Sequence, residues 1–468
     1  MQTSLFDMSK RASKAVAKRK LLILTLAGMI ILVLLTQGCT CGCVAREWWP
    51  AVTNDNSGGA IVTYGIYEGR DRNAYVQRVD AEGNKLWGEK GVLLASASPP
   101  NWLRRPHMIA DGSGGAIIVW KQSDGVFGQK VDSGGQVLWQ EGGSPVFSGF
   151  KAYQGVVSDG LGGALIATSS YSKEKKEYLL QIRRIDSAGN LLWTKDNTLI
   201  CLEADAQSGR FHMASDNSGG AIIVWKRRLG GIFAQRIDND GNVLWGAGGL
   251  ELSLTPNTFS PEVTGDGSGG AIVVWEHVEK NEEGQQLRSI CAQRIDAEGD
   301  ILWRQGGLPI CSSSELLMGY PRIISDGSGG AVFTWMTYND IYAQRINSDG
   351  DIQWSKDGVK VQGSEAPQAS HCVIADGSGG AIVAFERISG SIRDPAGLCY
   401  VQKLDAMGKN QWQPDGTLIS TKKGCPIISD DGFGGAVIVC WPYAQKINAE
   451  GERVWGEKGI LLSRKDVF

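Results

Sequence analysis

Ten residues, DGSGGAIIVW at 111–120, return almost unchanged as DGSGGAIVVW at 266–275, and close variants begin at Asp55, Asp159, Asp216, Asp326, Asp376 and Asp431. No other feature of the chain restricts its fold so tightly. Successive copies stand 56, 48, 57, 50, 60, 50 and 55 residues apart. Self-similarity at such a period marks supersecondary units that bury their apolar faces only against one another. A second landmark alternates strictly with the first. It reads AQRIDNDGNVLW at 234–245, AQRIDAEGDILW at 292–303 and AQRINSDGDIQW at 343–354, and substituted forms end at Trp87, Trp139, Trp193, Trp412 and Trp455.

Punctuation within one unit gives its strands. In the unit that starts near residue 321, PRIIS is a short extended run, and DGSGG is a turn. There Asp can accept backbone N–H bonds and Gly takes positive φ freely. AVFTW follows as a strand apolar on both faces, IYAQRIN as a third, and after SDG the run DIQW opens a fourth. Four antiparallel strands in about 50 residues make a propeller blade. The expected fold is therefore all-β, an eight-bladed β-propeller of four-stranded antiparallel blades over 48–468. Its units start near residues 50, 106, 154, 211, 261, 321, 371 and 426. The 63 glycines fit many tight turns, and this glycine-punctuated, short-strand pattern excludes a helical solenoid.

Trp87, Trp139, Trp193, Trp245, Trp303, Trp354, Trp412 and Trp455 are the expected docking elements between blades. Burying an indole of ~200 Å² at ~25 cal/mol/Å² contributes at most about 5 kcal/mol. Arg78, Lys130, Arg184, Arg236, Arg294, Arg345, Lys403 and Lys446 recur two residues before the Asp or Asn of the second turn. They read as ties to acidic or carbonyl partners within the stack rather than as a polyanion-binding ring. With 47 basic and 50 acidic residues, the chain has no electrostatic footprint for nucleic acid.

The layout of turn, strand and A-Q-R-I-D-x-x-G-N-V-L-W resembles the tryptophan-docking repeat of quinoprotein-type eight-bladed propellers, over residues 50–460. The Asp238-to-Gly241 spacing is shorter than is usual there, and the GSGG turn is peculiar to this chain. Kelch-type repeats are a rival, but their Gly pair follows the apolar strand, whereas Gly269 and Gly270 precede it. WD-type repeats lack support, since no Trp-Asp strand end occurs. The resemblance implies a redox role, but quinoprotein dehydrogenases use vicinal cysteines, and this chain has none.

Residues 1–20 form a basic leader, with six Lys or Arg and no acid in 9–20, and residues 21–38 run without a charge. Eighteen residues at 1.5 Å rise give about 27 Å, enough for one hydrophobic helix to cross a hydrocarbon core, with the bulk of the chain outside the cytoplasm. A Cys-containing linker fills 39–47. LLTQGC resembles a lipoprotein box with Cys39 as the lipidated residue; a retained signal anchor and a cleaved signal are the alternatives. Of the other cysteines, Cys201 and Cys311 read as small core residues, and no disulfide framework is legible.

The uniform turns DGSGG and AEGN share one face of such a disc. The variable loops, long at 277–289 and 387–399 and minimal at 441–445, occupy the other. Divergent loops on a uniform scaffold suit binding. Four residues before the turn Asp stand His107, His212, Glu262 and Arg322, with His371 one place earlier in its unit, and these are the candidate ligand residues. Ala51, Gly155 and Ile427 leave the ring incomplete. Trp102, beside Arg104 and Arg105, is a candidate aromatic platform for sugars or peptides. No G-x-S-x-G, H-E-x-x-H or P-loop occurs, so neither a catalytic residue nor a metal or cofactor is assigned. The expected molecule is a monomeric, exported, membrane-tethered binding scaffold with a protein or glycan partner. An extracellular carbohydrate-binding or glycan-degrading propeller and a divergent quinoprotein-like redox enzyme are the alternatives.

Overall fold

The computed structural model describes residues 50–463, apart from 69, 99–102, 124, 150–153, 173–176, 194–197, 203–210, 228–229, 254, 314–317, 338, 364–367, 392–393 and 423. The expected N-terminal helix, Cys39 and Trp102 lie outside the described residues, and no described helix is long and apolar enough to cross a membrane. Everything described is β-structure and turns. Eight four-stranded antiparallel sheets follow one another, each with its strands in chain order. Their strands cover 51–97, 103–147, 154–202, 211–253, 258–313, 319–360, 368–420 and 427–461. First strands of successive blades adjoin, and that of blade eight adjoins that of blade one, so the inner ring closes.

Local chemistry explains each corner. In blade five Asp266 Oδ1 accepts the N–H groups of Ser268 and Gly270, both at 2.9 Å. Gly269 takes φ +86°, and a Cβ on Gly270 would stand 2.2 Å from the Ile295 carbonyl oxygen. The Gly-Gly pair is thus required twice over, once for conformation and once for space. The middle residue of the turn faces solvent, which is why Leu161 (70% exposed) and Phe433 (71%) can replace the usual Ser.

Docking between blades repeats eight times. The indole N–H of Trp245 donates to the Ala297 carbonyl of the next blade at 3.1 Å. Trp87, Trp139, Trp193, Trp303, Trp354 and Trp412 do the same with Ser133, Ser187, Asn239, Ser348, Ala406 and Ala449. Trp455 closes the circle on Ala81 of blade one. The cations bind in the same belt. Arg236 forks onto Asp216 of its own blade at 3.0 and 2.9 Å and donates to the Ala297 carbonyl of the next. Where Lys replaces Arg, the ammonium reaches the first turn of the next blade instead, as Lys446 does with the Gly58 carbonyl. Arg236 therefore touches both kinds of glycine turn, which places them on one face.

A further member of the belt is the Gln of A-Q-R-I-D. Gln235 Oε1 accepts the backbone N–H of Trp245 at 2.8 Å, and its Nε2 donates to Gly246 at 2.7 Å. Six other blades repeat this clamp, beginning with Gln77 and ending with Gln445. In blade three Arg183 stands at this position instead of Gln, and its Nη1 donates to the Val146 carbonyl of blade two at 2.6 Å. Each apolar cluster joins two adjacent blades. Ile222, Val224 and Trp245 of blade four, for example, pack with Val263, Val273 and Trp275 of blade five.

The opposite face has a regularity of its own. The second and third strands are 9 residues long in blade one, 9 in blade three, 10 in blade five and 11 in blade seven. Those in blades two, four, six and eight have 7, 6, 6 and 5. Four tall hairpins therefore alternate with four low ones.

Candidate functional site

The inner strands bring three of the candidate residues into contact. His212 lies on Phe211–Ser215, Glu262 on Thr258–Gly265 and Arg322 on Gly319–Ser325, each paired to the second strand of its blade in the same register. Because these side chains point toward the next blade, they link across two seams. His212 Nδ1 stands 3.2 Å from Glu262 Oε2, and Arg322 Nη1 bonds Glu262 Oε1. Burial pushes the Glu262 carboxyl up, but His212 and Arg322 on either side more than reverse this and hold it at about 2. A polar chain thus crosses blades four, five and six on the channel side of the ring.

His371 follows a different geometry. One residue out of register with the others, it points back toward blade six, where its Nε2 stands 3.0 Å from Thr334 Oγ1. Burial, helped by the nearby Arg322 charge, pushes its imidazole down to about 3, so it is a neutral core residue. The position equivalent to Glu262 in blade seven belongs to Cys372, opposite Ala384. His107 is half-buried in blade two, and Gly155 interrupts the ring between it and His212.

Sequence reasoning missed the second carboxylate. Glu276 ends the apolar core of its strand and accepts the Tyr320 N–H of blade six at 2.7 Å. Its carboxyl is raised by burial, against the pull of the Tyr320 and Ser260 hydrogen bonds. Ser260 (φ +51°) and Tyr320 (φ +56°) both occupy the left-handed region, at bulges just before Pro261 and Pro321. Strained backbone of this kind persists only when its surroundings over-determine it. Here Glu276 and Glu262 together grip the 320–322 segment of the neighbouring blade. Blade seven repeats half of this device, with Glu386 accepting the Gly424 N–H at 3.3 Å. That repetition assigns Glu276 and Glu386 to the seams.

Beside this cluster Phe259 is 42% exposed, with the Lys226 ammonium 4.2 Å from its ring centre. At the turn-face end of the inner ring lies a cavity of about 480 Å³, lined by Thr264, Ile324, Ile374 and Asp430 among others. The Asp430 carboxylate there is held by Asn54 Nδ2, 3.0 Å from both its oxygens. No group of three or more His, Cys, Asp or Glu that could hold a metal occurs among the described residues.

Cys399 and Cys440, on facing strands of blades seven and eight, are joined as a disulfide. Cys311 is half-buried and packs against the cluster of blades five and six.

No protein-family model matches the chain, and no curated protein matches it in sequence. Solved structures do match in shape. A BP39L lectin from Burkholderia pseudomallei is 12% identical, with a TM-score of 0.52 over 80% of this chain and 99% of the lectin. The polysaccharide lyase Uly1 is 9% identical, with a TM-score of 0.43 over 74% of this chain and 88% of the lyase. The β-propeller domain of the Trilobed protease from Pyrococcus furiosus is also 9% identical, with a TM-score of 0.41 over 79% of this chain and 96% of that domain. At such identities the likeness is one of fold.

Proposed function

We propose that this chain is an exported, membrane-tethered binding scaffold that takes its partner on the loop face. The observation that carries this reading is how differently the two faces use their polar groups. On the turn face every repeated Asp caps its own turn, as Asp216 does, and every repeated Arg and Lys reaches a carbonyl of the neighbouring blade. The loop face combines hairpins of different heights with the His212–Glu262–Arg322 chain and an exposed aromatic, Phe259. Residues 9–38 supply a cationic flank and an apolar run for the tether. The Cys399–Cys440 pair suits an oxidising compartment. The docking bonds favour a place near the tryptophan-docking propellers of the quinoprotein type, as scaffold rather than as redox enzyme. A second reading, a carbohydrate-binding propeller, is favoured by the half-buried indole of Trp441 on the same face.

Photo-crosslinking of the full-length chain tests the main reading. A photoreactive residue at Phe259 should trap a partner, and one at Phe433, more exposed still but on the turn face, should not. Trapping from Phe433 alone would assign binding to the wrong face. Deleting residues 1–38 should move the protein from the membrane fraction to the soluble one; continued sedimentation with membranes would remove the tether.

A further inference from the structure

Blade eight is the lowest part of the loop face. Its hairpin turns after a five-residue strand, Ala436–Cys440, whereas the next hairpin round the ring, in blade one, rises through two nine-residue strands. The blade-one pairings Tyr64 with Tyr75, Ile66 with Asn73 and Glu68 with Asp71 align one row of side chains. The lower part of this row, Tyr64, Ile66 and Tyr75, packs with Val437 and Val439 of blade eight. The upper part rises past the point where blade eight ends. There Glu68 and Asp71 are half-buried and Ser96 and Ser98 are exposed. At the foot of this wall Trp441 is half-buried, tilted 36° against Tyr64 with ring centres 5.6 Å apart.

We propose that this step between blades eight and one is a binding site for a neutral oligosaccharide; the proposal rests on the loop face being the binding face. A pyranose ring offers an apolar C–H face and a rim of hydroxyl groups. An indole floor takes the first, and a wall of carboxylate, amide and hydroxyl groups takes the second. The wall is already set. Glu68 is held by Asn73 Nδ2 (2.6 Å), Tyr75 Oη (3.2 Å) and Lys90 Nζ (2.8 Å), the Lys90 bond doing most to hold its carboxyl below the usual range. Ser96 donates to Asn73 Oδ1 at 2.6 Å, and Ser98 donates to Asp71 Oδ1 at 2.5 Å. Groups fixed before the ligand arrives lose little entropy on binding. Lys90 offsets the Glu68 charge, and the Asp71 carboxylate selects against uronic and sulfated sugars, which would bring like charge to it.

Calorimetric titration of the full-length protein with gluco-, manno-, galacto-, xylo- and chito-oligosaccharides, and with oligogalacturonate, tests this. At least one neutral series should bind and oligogalacturonate should not. Trp441→Ala and the pair Glu68→Gln with Asp71→Asn should each weaken binding at least tenfold, while Trp441→Phe, which keeps a flat ring, should retain most of it. An unchanged melting temperature keeps loss of binding distinct from loss of fold. Absence of binding by every neutral series, or affinities equal in wild type and Trp441→Ala, overturns the proposal. The crosslinking result at Phe259 is independent of either outcome, so the broader reading can stand when this one falls.

Discussion

On the turn face of the disc, Asp216, Arg236, Gln235 and Trp245 spend nearly all their hydrogen-bonding capacity on the turns, on each other and on the next blade. On the loop face, strands of the central hairpins range from 5 residues in blade eight to 11 in blade seven, and the contacts change from seam to seam. The same repeat builds both. The difference teaches that the belt of polar clamps secures every seam alike, whereas ties nearer the loops, such as Glu276 on Tyr320 and Cys399 to Cys440, serve single seams and leave the hairpin ends beyond them free of closure. Their length and chemistry can then be given to recognition.

The contrast can be broken most forcefully from the belt. Asp216→Ala removes the cap of its turn and strands the Arg236 guanidinium, so it should cost about 3–5 kcal/mol, read as a large fall in the denaturation midpoint. A loss under about 1 kcal/mol would show that the belt is decoration. Acid should act next. His371 is neutral in the fold, near 3, against about 6.5 in an unfolded chain, so protons favour unfolding as pH falls through that interval. Glu262, near 2 in the fold against about 4.3 unfolded, adds to the loss below about pH 4.5. Glu276, with its raised carboxyl, works the other way, losing stability as pH rises through its shifted value. The expected net result is a melting temperature several degrees lower at about pH 4 than at pH 7, and the His371→Gln variant should flatten the slope above pH 5.

Blade three sharpens the comparison within the belt itself. Gln235→Leu leaves the Trp245 N–H and the Gly246 carbonyl unpaired and should cost about 1–3 kcal/mol. Gln181→Leu in blade three should cost clearly less, because Gln181 lies outside the clamp position, which Arg183 fills there, and its Oε1 holds nothing among the described residues. Equal losses in chemical denaturation would mean that the clamp contributes through packing alone. The smallest effect belongs to the loop face. Replacing residues 279–287 by Asn-Gly should change stability by less than about 0.5 kcal/mol, since the blade-five hairpin beyond Val278 is remote from the belt.

Much of the belt was legible in the sequence because a ring of identical seams repeats its chemistry eight times. Trp, Arg or Lys, and the Asp-Gly turns could be assigned roles from recurrence and valence alone. Gln235 carried the same signal, since a Gln recurs before the cation in every unit except blade three, where Arg183 replaces it, but its bond to the backbone of Trp245 needs a strand register that spacing does not specify. Hairpin heights were hidden in the alternation of long and short intervals between copies. The His212–Glu262–Arg322 chain was visible as a shared position, and its connectivity was not, because the direction of each side chain depends on bulges at Ser260 and Tyr320. His371 shows the converse: one residue of offset turned a candidate ligand into a core imidazole. Cys399 and Cys440 lie 41 residues apart and meet only because two blades are adjacent.

Blade one is made wholly of residues 51–97 and blade eight wholly of 427–461, so no strand is exchanged where the ring meets itself. That junction is held by Trp455 on Ala81, Lys446 on Gly58 and Asn54 on Asp430, much as any other seam is held. Nothing in the physics marks one sheet as the beginning. A circular permutant of the disc, opened between blades four and five and joined from blade eight to blade one, keeps every such bond and should melt in a single cooperative step.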